Sequence, residues 1–121
     1  MAIARFIDHS AFQVQNGRSD GLLAWLTENE TRLLAAFPPA LQWLGCYTEV
    51  IAGDSSGLWH LLIGADRYGA LDDFVTTVRD PASDLGPLIG GLLSFFNLSN
   101  ESKGGRWLYR AAPDVVVWEN Q

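Results

Sequence analysis

The chain reads as an α+β sandwich: an antiparallel sheet with helices packed against one face. Three observations point there. Extended and helical segments alternate in the order β-α-β-β-α-β. The second and third strands are joined by only "AGDSSG" (residues 52–57), a connection short enough to require an antiparallel hairpin. The third strand, "LWHLLIGA", is apolar at both parities, with Trp59, Leu61 and Ile63 on one side and Leu58 and Leu62 on the other.

Strand one is expected over Ile3–Gln15, "IARFIDHSAFQVQ", where strand formers dominate. "NGRSDG" supplies a turn and, at Ser19 or Asp20, a helix N-cap. From Gly21 to Phe37, Leu22, Leu26, Leu33 and Phe37 recur at helical spacing, and Pro38 and Pro39 stop the helix because neither can donate the backbone hydrogen bond it needs. "WLGCYTEVI" (43–51) forms strand two and Leu58–Ala65 strand three. Asp66 is placed to cap a second helix with an inward stripe of Tyr68, Leu71, Val75 and Val78. "RDPASD" breaks it, and Asp84 opens an appended helix with Pro87 in its first turn and Leu88, Leu92 and Phe96 buried. "SNESKGG" is a turn, "RWLYRAA" (106–112) strand four, and "DVVVWE" (114–119) an extra strand. With right-handed crossovers this order gives a ferredoxin-like fold, a single domain over residues 1–121.

Composition narrows the partners. A formal charge of −6, with eight Lys and Arg scattered along the chain, lacks the basic stripe that displaces phosphate counterions, so nucleic acid and anionic membranes are not expected partners. Cys46 is the single cysteine, which rules out an internal disulfide. The longest apolar run, Pro87–Phe96, is too short to span a bilayer, and "MAIARFIDHS" lacks signal-peptide architecture; a cytoplasmic location is expected. No G-x-G-x-x-G, P-loop or G-x-S-x-G occurs, so no cofactor is expected. A strand buried on both faces in a domain this small needs a cover from outside, and a second copy of the chain, docked sheet to sheet, supplies it.

The element order, the length and the doubly apolar third strand resemble the dimeric α+β-barrel superfamily, which includes antibiotic-biosynthesis-type monooxygenases, stress-responsive barrel proteins and polyketide cyclases. The likeness is one of layout over nearly the whole chain. The stress-responsive and cyclase branch often carries His-Pro-x-His after its second helix. This chain has Asp80-Pro81-Ala82-Ser83 there, so neither histidine role is carried over.

His60, set in the apolar third strand, is the foremost candidate for chemistry. Pairing Ala52 with Leu58 would put Val50 opposite His60, Thr48 opposite Leu62 and Cys46 opposite Gly64, leaving space beside the imidazole. A pocket between sheet and helices, lined by Cys46, Thr48, Trp59, Tyr47 and His9, would then hold a small hydrophobic or aromatic molecule. His60, near its ordinary pKa of about 6.5, would serve as base. The bland alternative is a core histidine hydrogen-bonded to a carbonyl or a tyrosine. His9 points away from its neighbour Asp8, and a metal site on His9 and His60 lacks a third ligand, so no metal is expected. Tyr47 and Glu49 share a strand face with Trp43, and Glu49 is expected near an edge, reaching water or an arginine across the dimer. Cys46 has no cationic neighbour in sequence and reads as a structural thiol.

Three readings follow. The leading one is a homodimer binding a small apolar metabolite. The second is a cofactor-independent monooxygenase or cyclase-like enzyme with His60 as base and Trp59 or Tyr47 positioning substrate. The third is a purely structural dimer, which should have no cavity.

Overall fold

The computed structural model describes residues 4–49, 57–99 and 104–112. The elements are β1 (Phe6–Val14), α1 (Ser19–Ala36), β2 (Leu41–Thr48), β3 (Leu58–Ala65), α2 (Ala70–Arg79), α3 (Leu85–Leu93), β4 (Phe96–Asn97) and β5 (Gly104–Arg110). Every strand pair is antiparallel. The sheet runs β2-β3-β1-β4, and β5 also pairs with β1. β5 follows Phe6–Phe12 of β1, and β4 takes the adjoining Gln13 and Val14. The expected extra strand at 114–119 lies outside the described residues.

Helix α1 buries Leu22 and Leu33 completely, α3 buries Leu85, Leu88 and Leu92, and both meet Trp43 and Leu61 of the sheet in one core. Each fully buried leucine contributes about 1.5–3 kcal/mol relative to exposure. Close approach between α2 and α3 depends on Gly86, where a Cβ would stand 2.5 Å from the Val78 carbonyl oxygen.

Several local expectations are corrected. Arg18 rather than Ser19 or Asp20 occupies the α1 N-cap, with no side-chain cap bond. Helix α2 starts only at Ala70, so Asp66 does not cap it; Tyr68 precedes it and is exposed, meeting Phe6 edge-on. Its inward side is Ala70, Leu71, Phe74 and Val78, while Val75 is 45% exposed. The physical reason is a register shift: Phe74 is the larger apolar group, and turning it inward carries Val75 toward the edge. Phe96 is buried, yet from β4 and not from the appended helix.

The most consequential correction concerns the β2–β3 hairpin. Tyr47, not Val50, stands opposite His60, with Thr48 opposite Trp59 and Cys46 opposite Leu61. A bulge between Trp43 and Gly45 inserts one residue, and Gly45 sits at φ +134°, a conformation that side-chain-bearing residues avoid. Its missing Cβ also leaves room for the Tyr47 ring, which would otherwise be 3.0 Å away. Because directly paired residues share a face, the three-residue difference between Tyr47 and Val50 opposite His60 exchanges the two faces of the strand, and the bulge beyond it turns Trp43 to the same side as Cys46. Trp43 and Cys46 therefore face the helices, while Tyr47 and His60 face the opposite side.

Candidate functional site

The sheet divides the candidate residues into two groups. Asp8, Ser10 and Phe12 of β1 pair with Ile63, Leu61 and Trp59 of β3 on the helix side. Between them and helices α2 and α3 lies a cavity of about 350 Å³. Its walls are apolar, built from Phe12, Leu61, Ile63, Phe74, Ile89 and Leu92 among others, and one corner is polar, with Asp8, Ser10 and Arg106. A volume of this size is at the small end of ligand pockets.

Strand pairing builds the polar corner. Arg106 of β5 stands opposite Ser10, one pleat along from Asp8, so its guanidinium reaches Asp8 diagonally. Nε donates to Oδ1 at 3.0 Å and Nη2 to Oδ2 at 2.5 Å, a forked pair. Asp8 is 8% exposed, whereas the Arg106 side chain is 69% exposed. The hydrogen bond to Asp8, and then its charge, raise the Arg106 pKa further above an already high value. The pair brings a fixed donor plane to an otherwise greasy wall.

None of His9, Cys46, Tyr47, Thr48, Trp59 and His60 lines this cavity. Cys46 is on the helix-facing side, but burial, with Glu30 adding to it, pushes its thiol up to about 12, so it is protonated and inert at neutral pH. Trp59 packs against the core. Thr48 is exposed at the end of β2.

The outer face holds a different arrangement. Glu49, one residue past β2, accepts from His60 Nε2 at 2.8 Å. His60 Nδ1 lies 2.6 Å from His9 Nε2, and His9 Nδ1 lies 3.2 Å from the Tyr109 hydroxyl. The four groups form one row across β2, β3, β1 and β5. Trp107, directly opposite His9, covers its ring at 4.9 Å between centroids and 31°. Small residues make the row feasible: Ala11 faces His60 from β1, and Gly105 faces Ala11 from β5. Glu49 thus meets a histidine within its own subunit. Among the described residues no group of three His, Cys, Asp or Glu is arranged to hold a metal ion.

Sequence reasoning missed the Asp8–Arg106 corner and the Tyr109 end of the outer row, and it singled out Glu49 without its His60 partner. One signal was available: Asp8 and Ser10 are polar residues at the same parity as Phe6 and Phe12 in β1. Tyr109 had none, since its reach to His9 depends on the pairing of β5 with β1.

No family model matches the chain, and no curated protein matches it. Solved structures do. A NIPSNAP domain protein from Burkholderia xenovorans aligns with TM-score 0.62 at 9% identity, over 88% of this chain and 94% of that one. An antibiotic-biosynthesis-monooxygenase-like protein from Bordetella bronchiseptica aligns with TM-score 0.61 at 10% identity, over 91% and 99%. A dimeric ferredoxin-like protein from Thermobifida fusca aligns with TM-score 0.58 at 12% identity, over 92% and 95%. At such identities the likeness shows the fold alone, α+β and ferredoxin-like. Among the described residues no helix is long and apolar enough to cross a membrane.

Proposed function

We propose that the protein is a cytoplasmic homodimer whose subunits each bind one small, largely apolar or aromatic molecule between sheet and helices. The observation that carries the reading is the cavity of about 350 Å³ with apolar walls and a single polar corner at Ser10, Asp8 and Arg106. Burial of the ligand's apolar body supplies affinity, and one hydrogen-bonding group directed at Ser10 and Arg106 fixes its orientation. The cavity also separates this reading from a purely structural dimer, which has no use for one.

Acid–base chemistry on a ligand bound there would fall to Asp8, since His60 faces the other side of the sheet. Self-association is supported by the outer face, where Tyr47, Trp107 and Tyr109 are each about half exposed, and by the dimeric state named for the Thermobifida fusca protein. Aromatic groups of this kind anchor interfaces.

Native mass spectrometry of the purified protein tests both parts. The expected spectrum is a dimer that carries, or takes up on addition, one 8-anilinonaphthalene-1-sulfonate per subunit. Ile89→Trp, which fills the cavity from α3, should remove the uptake while the dimer persists. Retained uptake in a folded Ile89→Trp protein would place the ligand elsewhere.

A further inference from the structure

We infer that acid releases the sheet-to-sheet dimer, because the Glu49–His60–His9–Tyr109 row on the face it would cover stays closed with no added proton or one, but not with two. The inference rests on the dimer reading above and adds a regulation to it.

The hydrogen-bond directions follow from the chemistry of the end groups. A carboxylate only accepts, so His60 Nε2 carries a proton toward Glu49 Oε1. With both imidazoles otherwise neutral, His60 Nδ1 is an acceptor, His9 Nε2–H donates to it, and the Tyr109 hydroxyl donates to His9 Nδ1. Every nitrogen in the row is then satisfied without water, which is the condition for burying it beneath a second copy.

One added proton on the pair still leaves a single hydrogen between the two rings, whichever ring takes it; with it on the ring beside Glu49 the row closes as follows. His60 becomes a double donor, to Glu49 and to His9 Nε2. The His9 proton moves to Nδ1 and is donated to the Tyr109 oxygen. All contacts survive, with the direction reversed between His60 and Tyr109.

A second proton leaves both rings doubly protonated. Both nitrogens of the 2.6 Å contact would then carry hydrogens aimed at each other, and the contact cannot persist. The groups facing His9 are His60 from β3, Tyr109 and Trp107 from β5, and its β1 neighbour Asp8 on the reverse side. Burial first and His60 second lower the His9 pKa from 6.5, and Asp8 opposes them in part. Covering the face with another subunit deepens the burial and increases the lowering. His9 is already below 6.5 in the free subunit and the cover lowers it further, so dissociated subunits bind more protons than the dimer in a window that lies wholly below 6.5, and the equilibrium moves toward monomers as pH falls through it. Above that window the linkage is absent.

The test is sedimentation velocity over a concentration series at pH 7.5 and pH 5.0, on the full chain and on His9→Phe, with circular dichroism at both pH values. Each proton taken up on dissociation changes Kd by about tenfold per pH unit inside the window, so the expected rise for the wild-type chain is about tenfold or more. His9→Phe, which cannot titrate, should give a Kd that is flat with pH. A monomer at every pH and concentration sinks the dimer reading and this inference together. A wild-type dimer with equal Kd at both pH values leaves the dimer standing and overturns the inference, as does a His9→Phe dimer with undiminished pH dependence. If His9→Phe fails to fold, NMR titration of the imidazole C–H signals decides in the wild-type chain. Dimer loss must follow the titration of His9; loss that follows any other group overturns the inference.

Discussion

Replacing Arg106 by leucine isolates the polar corner of the cavity. The substitution leaves Asp8, 8% exposed, without the two hydrogen bonds at 3.0 and 2.5 Å that hold its oxygens. Removing one partner of a fully buried ion pair costs about 3–5 kcal/mol. Here the Arg106 side chain is 69% exposed, so solvent already screens much of the pair and water reaches the orphaned carboxylate. Discounting for that gives a loss of about 1–2 kcal/mol, mostly the desolvation of Asp8. In a domain of this size that lowers Tm by about 3–10 °C. Urea unfolding followed by tryptophan fluorescence gives the free energy directly, and Asp8→Asn with Arg106→Leu completes a double-mutant cycle. The cycle should show a coupling near 1 kcal/mol, because the asparagine has no charge to strand. A loss below about 0.3 kcal/mol for Arg106→Leu, or no coupling, would show that the pair is an ordinary surface contact and the corner unstructured.

Further outcomes are expected elsewhere. Gly45→Ala should lower stability by about 1–3 kcal/mol in urea unfolding, since φ +134° is strained for alanine and its Cβ meets the Tyr47 ring; an unchanged midpoint would refute the bulge. Cys46 should resist Ellman's reagent at pH 8 and react fully in denaturant, because its thiol stays protonated up to about 12; rapid reaction in the native protein would contradict its burial. The His9 pKa is lowered on folding, so its contribution to stability is complete above 6.5 and is lost as pH falls below that value. The wild-type chain should lose up to about 1.4 kcal/mol per pH unit more than His9→Phe across that window, measured by urea unfolding at several pH values.

Most of the fold was legible because it is written in local periodicity. Leu22, Leu26 and Leu33 mark one helix, the proline pair stops it, and the apolar run at 58–65 reads as a covered strand whatever its partners. What escaped was pairing register, which local pattern does not encode. From Gly45 to Thr48, β2 pairs with β3 three residues away from the expected Val50–His60 pairing, an odd difference that set Cys46 and Thr48 on one face and left His60 on the other; the bulge beyond Gly45 then turned Trp43 to the same face as Cys46. His60 was recognisable as unusual in an apolar strand, but its partners Glu49 and His9 come from two other strands, and the sequence gives no distance between them. Asp8 and Arg106 were hidden for the same reason, 98 residues apart until β5 lies down on β1.

The face that receives a ligand can be read directly by methyl NMR during titration with 8-anilinonaphthalene-1-sulfonate. Leu61, Ile63, Ile89 and Leu92, which line the cavity, are expected to shift in concert, while Leu58 and Leu62, on the opposite face of β3, keep their positions. Shifts confined to Leu58 and Leu62, or none at a concentration that saturates other apolar cavities, would contradict a binding site between sheet and helices.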